Sequence, residues 1–178
     1  MGSDRLEFAR RSIRWEHTVP NVYIHPTAHI GTGVVIGESG FGYERDEYGA
    51  PVKIYHAGGV IIGPNVWLGA NCIVSRAVLP ERNTIIKEHC KIDDLCHIAH
   101  NVVIGPRTMM ASGCILGGSV QIGPDCWIGS GTTVRNKVRI IRNTLIGIGS
   151  VVLKDILEPG QVWAGNPARF LRMKREGE

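Results

Sequence analysis

Two histidines lie three residues apart in the segment CHIAHNVVIG, from Cys96 to Gly105. An imidazole titrates near neutral pH, so either side chain could remove a proton from an amine or a hydroxyl group. His97 precedes the apolar residue Ile98 and His100 follows it by two residues, which predicts that both lie off the core. A single outward histidine is more often a solvated surface residue than a base. The elements that position the pair therefore decide its chemistry.

Those elements repeat every six residues. From Ile62 to Val152 every sixth residue is aliphatic or methionine, with Pro80 as the exception, and as far as Ile146 a small residue follows each of them four positions later. An α-helix has a period of 3.6, whereas a period of six suits short strands joined by turns. One large and one small inward residue per unit would fill a narrow interior. Such hexapeptide repeats are a signature of β-helices.

This pattern resembles the hexapeptide-repeat acyltransferases, whose fold is a left-handed parallel β-helix. The resemblance implies eighteen residues, or three hexapeptides, per triangular coil. We therefore predict an all-β chain with an N-terminal segment at 1–20 and the β-helix at 21–165. A short basic C-terminal helix or tail at 166–178 would cap the stack of coils.

An insertion at about 38–59 interrupts the repeat. An earlier set of large residues, Ile24, Ile30 and Ile36, is offset by two positions from the main run, and the insertion absorbs that offset. The inserted segment is rich in glycine, aromatic and charged residues. Two interpretations stay open, a binding element or a plain β-hairpin at DEYGAPV.

The five cysteines all fall at the small inward position. They are predicted to be buried thiols that act as small hydrophobic residues, which favours a reducing compartment. The set comprises Cys72, Cys90, Cys96, Cys114 and Cys126.

Bulk properties narrow the function classes. The chain has 178 residues, which suits one domain, and a net charge of +4, which is too small to indicate a nucleic-acid partner. No apolar run approaches the length of a membrane span, and the N-terminus lacks the core of a signal peptide. A soluble cytoplasmic protein is expected.

The segments KIDDLCHIAHNVVIG and GFGY make the resemblance more specific. They are similar to the lipid A pathway N-acyltransferases that act on UDP-3-O-acylglucosamine, over roughly residues 22–153. The resemblance implies that His100 is the general base and that the backbone N–H of Gly118 stabilises the oxyanion. In a stack with a period of eighteen, His100 would lie directly below Gly118, and Asn136 would follow in the same column.

The C-terminal segment VWAGNPARFL instead resembles acetyl-CoA-dependent hexapeptide transferases. It implies acetyl-CoA as the donor and a nucleotide-linked amino sugar of surface polysaccharide biosynthesis as the acceptor. Family resemblance also implies a homotrimer with active sites between subunits. Metal is not expected.

The remaining candidate site residues fall into two groups. Residues expected near the substrate are His97, Asp93, Asp94, Phe41 and Tyr43. Residues expected near coenzyme A are Asn136, Lys154 and Arg169. Asp93, Asp94 or a backbone carbonyl would orient the imidazole of His100.

Three alternatives remain open. One is an N-acyltransferase of the lipid A type that takes its acyl group from an acyl carrier protein. Another is a metal hydratase resembling γ-type carbonic anhydrases, with zinc held by histidines such as His89, His97 and His100. The third is a non-catalytic scaffold that binds no coenzyme A.

Overall fold

The computed structural model describes residues 2–15, 20–175 and 177, and its architecture is the predicted left-handed parallel β-helix. One helix, α1, spans Gly2–Ser12, and a short 3₁₀ turn spans Ile13–Trp15. Twenty-two strands follow. In chain order they are β1 Val22–Ile24, β2 His29–Ile30, β3 Val35–Glu38, β4 Tyr43–Arg45, β5 Pro51–Lys53, β6 Gly59–Ile62, β7 Trp67–Leu68, β8 Ile73–Ser75, β9 Asn83–Ile86, β10 Lys91–Ile92, β11 His97–Ile98, β12 Val103–Ile104, β13 Met109–Met110, β14 Ile115–Leu116, β15 Gln121–Ile122, β16 Trp127–Ile128, β17 Thr133–Val134, β18 Arg139–Ile140, β19 Leu145–Ile146, β20 Val151–Val152, β21 Gln161–Gly165 and β22 Ala168–Met173.

Three sheets form the three sides of the coil stack. Sheet A is ordered β1-β6-β9-β12-β15-β18, sheet B is ordered β2-β7-β10-β13-β16-β19-β21-β22, and sheet C is ordered β3-β8-β11-β14-β17-β20. Each turn of the chain visits the three sheets in succession and then starts the next coil. From β9 to β20, paired strand residues are eighteen positions apart, as in the ladder Ile86, Ile104, Ile122 and Ile140. The implied length of the coil is therefore confirmed in this part of the chain. The spacing shortens to seventeen where Leu145 pairs with Val162.

The large inward residues of the hexapeptides stack in one column and the small ones in another, and these two columns form the core. Ile98, Ile104 and Leu116 in the large column are completely buried, and so are Val102 and Cys114 in the small column. All five cysteines are buried free thiols, as predicted. Burial raises the pKa of Cys90 to about 12. These residues act as small core residues because each thiol lies inside the coil stack.

The hairpin interpretation of the segment 38–59 is confirmed, and the binding interpretation stays a prediction. Strands β4 and β5 form an antiparallel hairpin, closed by a turn in which Asp46 Oδ1 accepts from the N–H groups of Tyr48 and Ala50. The chain on either side of the hairpin lies against the end of sheet C, with Gly40 near Ser75 and His56 near His100. The hairpin is therefore an excursion from the coil that also builds a cavity.

A second insertion, unrecognised in the sequence, explains Pro80. Ile62 pairs with Ile86, so this coil is twenty-four residues long rather than eighteen. The extra residues form a loop over 76–82, and its backbone hydrogen-bonds to the end of the first insertion, for example from Gly58 N to Ala77 O at 2.9 Å. An insertion of six residues preserves the phase of the repeat, and for that reason the pattern runs through it without a visible break.

The predicted C-terminal helix is wrong. The segment forms strand β22, which pairs antiparallel with β21 after a turn at Asn166 and Pro167. Strand β21 continues sheet B beside β19, which leaves its other edge open, and β22 satisfies the backbone groups of that edge. Apolar residues in such a short segment do not distinguish a helix from an edge strand.

Helix α1 forms most of the described part of the predicted N-terminal segment. Its residues Ala9 and Ser12 are buried, and α1 packs on strands β4 and β5. Residues 16–19 of the predicted N-terminal segment lie outside the described residues. None of the described helices is long and apolar enough to cross a membrane.

Candidate active site

His100 occupies the corner that follows strand β11, where the chain turns from sheet C to sheet A. Asn101 adopts a left-handed conformation there, with φ of 61°. Asparagine tolerates this conformation better than most residues do, so the sequence His-Asn suits a tight corner. The corner turns the histidine outward, and its side chain is half-buried at the cavity wall.

The side chain of Asn101 sets the tautomer of His100. Asn101 Oδ1 lies 3.0 Å from His100 Nδ1 and also accepts a hydrogen bond from the backbone N–H of Val78 at 3.2 Å. The Val78 donor identifies this atom as the amide oxygen, which can only accept. Nδ1 of the neutral imidazole therefore carries the proton, and Nε2 holds the free lone pair that a base needs. The expectation that Asp93, Asp94 or a backbone carbonyl orients this ring is wrong.

Gly118 lies beside Nε2 and Cε1 of His100, as the stacking of residues eighteen positions apart predicts. A Cβ atom at Gly118 would lie 2.5 Å from His100 Nε2 and 2.5 Å from Cε1, a separation that real Cβ atoms do not show. The Gly118 carbonyl accepts from Lys137 N, whereas the Gly118 N–H makes no hydrogen bond within the described residues. This corner thus places a basic nitrogen beside an uncommitted backbone donor.

A cavity of about 570 Å³ opens over His100. Its walls come from four segments, which are α1, the first insertion, the loop over 76–82 and the corner itself. Phe41 and Tyr43, both predicted near the substrate, line it, and their ring centroids are 4.9 Å apart. Asn136 and Lys137 line the side that continues toward the next coil. The cavity therefore joins residues that are far apart in sequence.

His56 is a cavity residue that the sequence analysis missed. Its ring centroid lies 5.1 Å from that of His100 in an edge-to-face arrangement, and the side chain is buried. Its Nδ1 accepts a hydrogen bond from Gly40 N at 3.1 Å. Burial, followed by repulsion from His100 and Lys53, lowers the pKa of His56 to about 4. His56 is consequently neutral at physiological pH, with its proton on Nε2.

The glycines of the GFGY segment wrap around His56. A Cβ atom at Gly40 would lie 2.9 Å from His56 Cε1, and one at Gly42 would lie 2.8 Å from His56 Nε2. Side chains at either position would push the imidazole out of its place. A histidine at the end of the insertion, three residues before β6, was the available signal, but nothing local connects it with glycines fourteen and sixteen residues earlier.

Three predicted substrate residues lie elsewhere. Asp94 Oδ1 accepts from Ala70 N at 2.6 Å at another corner, and Asp93 lines a groove on sheet B. His97 lies on the outer side of sheet C between Ile73 and Ile115, where burial lowers its pKa. His97 belongs to strand β11 and His100 to the corner after it, so the two side chains face different sides of the β-helix. His97, Asp93 and Asp94 are not among the residues that line the cavity.

Of the residues predicted to hold coenzyme A, Asn136 alone is among the cavity residues. Lys154 is exposed and lies one coil beyond Asn136 in the same column. Arg169 is exposed on strand β22, where its Nη1 donates to the carbonyl of Ala168 at 3.2 Å. The structure adds Lys137 to Asn136, and its ammonium group comes from the same corner.

Possible metal ligands are scattered. No group of three or more His, Cys, Asp or Glu side chains converges to hold a metal ion among residues 2–15, 20–175 and 177.

A family model described as bacterial transferase hexapeptide (six repeats) matches residues 83–118, which include the corner of His100 and Gly118. The UDP-3-O-acylglucosamine N-acyltransferase of Wolinella succinogenes is 44% identical over 99 residues, which are 52% of this chain and 30% of that protein. The protein of the same name from Coxiella burnetii is 50% identical over 82 residues, which are 46% of this chain and 23% of that protein. The chain thus matches less than a third of the length of either relative.

Solved structures share the fold. The UDP-N-acetylglucosamine acyltransferase of Francisella novicida superposes with a TM-score of 0.75 at 20% identity, over 86% of this chain and 54% of that one. The protein of that name from Campylobacter jejuni gives a TM-score of 0.62 at 22% identity, over 85% of this chain and 66% of that one. At these identities the comparison establishes the left-handed β-helix and nothing about the substrate.

Proposed function

We propose that this chain, a left-handed β-helix of hexapeptide repeats, is an acyltransferase. It moves an acetyl or short acyl group from the thioester of coenzyme A to the amine of a nucleotide-linked amino sugar. The observation that supports this most directly is the contact between His100 Nε2 and the backbone of Gly118. A base and an oxyanion donor at one point are what direct acyl transfer requires.

The reaction needs no covalent enzyme intermediate. The amine nitrogen attacks the thioester carbonyl carbon, and the carbonyl electrons move to oxygen, where the Gly118 N–H donates a hydrogen bond. His100 Nε2 takes the proton that the amine loses. When the tetrahedral intermediate collapses, the C–S bond breaks, and the protonated imidazole returns its proton to the leaving thiolate. A positioned base contributes roughly 10²–10⁴ in rate and an oxyanion donor roughly 10²–10³.

The neutral Asn101 suits this cycle. It fixes the proton of His100 on Nδ1, so Nε2 stays available as the base. An amide places no negative charge beside the imidazole.

The donor is inferred from the side chains of the cavity, and the acceptor from the names of the relatives. Lys137 and Asn136 offer a cation and an amide at the cavity, which suits the phosphates and the amide-rich arm of coenzyme A. Lys154 and Arg169 lie outside the cavity, and in a homotrimer they would act on a donor bound between subunits. A nucleotide-linked amino sugar is proposed as the acceptor because two relatives are named for UDP-3-O-acylglucosamine.

A second candidate is N-acylation with an acyl carrier protein as the donor. It is favoured by the 44% identity to the Wolinella succinogenes protein, whose name specifies an N-acyltransferase of an acylated sugar nucleotide. Both candidates use the same base and the same oxyanion donor. They differ only in the carrier of the thioester.

Calorimetric titration with coenzyme A and acetyl-CoA separates the donors, and a thiol-release assay with a panel of nucleotide-linked amino sugars then tests transfer. We expect saturable micromolar binding and turnover that His100→Ala reduces at least about 10²-fold with donor binding retained. His29→Ala is the matched control, because His29 stacks on Trp67 on sheet B, away from the cavity. A His100→Ala protein that keeps most of its turnover would refute the mechanism.

A further inference from the structure

One stripe of α1 extends from the buried interface with the hairpin to the rim of the active-site cavity. Residues spaced by three or four positions share one side of a helix. Ala9 and Ser12 are buried at the C-terminal half of this stripe, and Arg5 and Phe8 line the cavity at its N-terminal half. One end of this stripe is therefore packed against the hairpin, and the other end lines the active-site cavity.

A hydrogen bond to the buried Ser12 holds α1 against the first insertion. Ser12 Oγ donates to the carbonyl of Ala9 at 2.7 Å and accepts from the backbone N–H of Tyr55 at 2.9 Å, in an environment where Ser12 is fully buried. Two ion pairs add to this hydrogen bond, from Arg5 Nε to Glu44 at 3.1 Å and from Arg10 Nη2 to Glu47 at 2.8 Å. Exposed ion pairs stabilise little, so the buried hydroxyl defines the position of α1.

We propose that α1 is the wall of the cavity that selects the acceptor, and that the guanidinium of Arg5 binds the acceptor's phosphate groups. This inference rests on the acyl transfer proposed above and names a binding residue for its acceptor. Arg5 reaches the cavity from α1, and Lys137 reaches it from the corner on the opposite segment. These two positive charges are offset by the carboxylates of Asp4 and of Glu44, the ion-pair partner of Arg5, so a phosphate would be recognised through the guanidinium donors rather than through net charge.

The chemistry of the side chain supports a phosphate. A guanidinium carries several N–H donors in a planar fork, and the ion pair with Glu44 engages Nε, which leaves its remaining donors for a ligand. A nucleotide-linked sugar carries two linked phosphates between the base and the sugar. With the sugar amine at His100, those phosphates would extend from the corner toward the cavity rim, where α1 lies.

Arg10 provides a matched control on the same helix. Arg5 and Arg10 are both exposed arginines of α1, and each pairs with a glutamate of the hairpin insertion. Arg5 belongs to the active-site cavity, whereas Arg10 lines a separate depression with Val52 and Tyr55. Removing either charge deletes one ion pair to the insertion, although the Glu44 side chain is less exposed than that of Glu47, at 21% against 57%. A difference in ligand affinity between the two variants therefore reports on the cavity.

The test is calorimetric titration of UDP-glucosamine, and of UDP alone, into the wild type, Arg5→Gln, Arg10→Gln and Arg5→Lys. We expect Arg5→Gln to raise the Kd for both probes about tenfold, the effect of one charge-assisted hydrogen bond. Arg10→Gln should stay within about twofold, and Arg5→Lys should recover part of the loss because it restores the charge without the fork. Both glutamine variants should remain folded at the temperature of the titration.

Two results would overturn the inference. One is equal affinity of Arg5→Gln and Arg10→Gln for UDP-glucosamine, and the other is a wild type that binds neither probe. The acyl-transfer proposal is judged separately by coenzyme A binding and by His100-dependent thiol release. Turnover with an amino sugar that lacks phosphates would uphold that proposal while refuting the role of Arg5.

Discussion

The backbone of Gly118 closes on the imidazole of His100 so tightly that a single methyl group would not fit between them. A Cβ atom on Gly118 would meet Nε2 and Cε1 of that ring at 2.5 Å. The two residues are eighteen positions apart and lie on consecutive coils, so the register of the β-helix creates the contact. Substrate must approach this junction for the base and the oxyanion donor to act together.

Gly118→Ala is therefore expected to abolish activity without unfolding the protein. The added methyl group displaces the His100 ring, and turnover in the thiol-release assay should fall at least about 10²-fold. Gly131→Ala is the control variant, because it adds the same methyl group at a glycine with open space around it. Its Cβ atom would meet nothing within 4 Å, but its φ of +67° strains an alanine, so it should cost about 1 kcal/mol of stability and no activity. Equal activity losses in the two variants would contradict this assignment.

Replacement of Asn101 should slow catalysis without weakening substrate binding. Asn101→Gly keeps the left-handed corner but removes the oxygen that holds His100 Nδ1, so the ring loses its tautomer and orientation. We expect kcat to fall about tenfold or more, with KM little changed, because the lost interaction acts on the base. Asn71→Gly, at a left-handed position of a different corner with φ of 56°, should behave as the wild type. A rise in KM with unchanged kcat would instead assign Asn101 to substrate binding.

His56 should make the protein sensitive to acid. Its pKa is lowered from 6.5 to about 4, so the unfolded chain binds a proton in the window in which the folded chain does not. The folded state is thus unaffected above pH 6.5 and loses stability as the pH falls toward 4, by about 2 kcal/mol at pH 5. Urea unfolding at pH 7.5 and pH 5 should show a smaller loss for His56→Gln than for the wild type. Equal losses would mean that His56 is protonated in the folded protein.

The architecture was accessible from the sequence because the repeat is regular. Large residues every six positions and small residues four positions later can only be buried together in short coils, and their burial confirms both columns, as with Ile98 and Val102. The pairing of His100 with Gly118 follows from the length of one coil. The same reasoning failed at the C-terminus, where the open edge of β21 rather than the local pattern made β22 a strand.

The sequence by itself determined the β-helix, the burial of the cysteines and the outward position of His100, because each depends on a period that is visible in the chain. Only the tertiary structure decided what surrounds His100. Asn101 reaches it with the help of Val78 from the second insertion, His56 comes from the first insertion, and α1 closes the rim. Insertions leave the period and return to it at positions that folding alone brings together, so no pattern in the sequence reveals where their side chains meet.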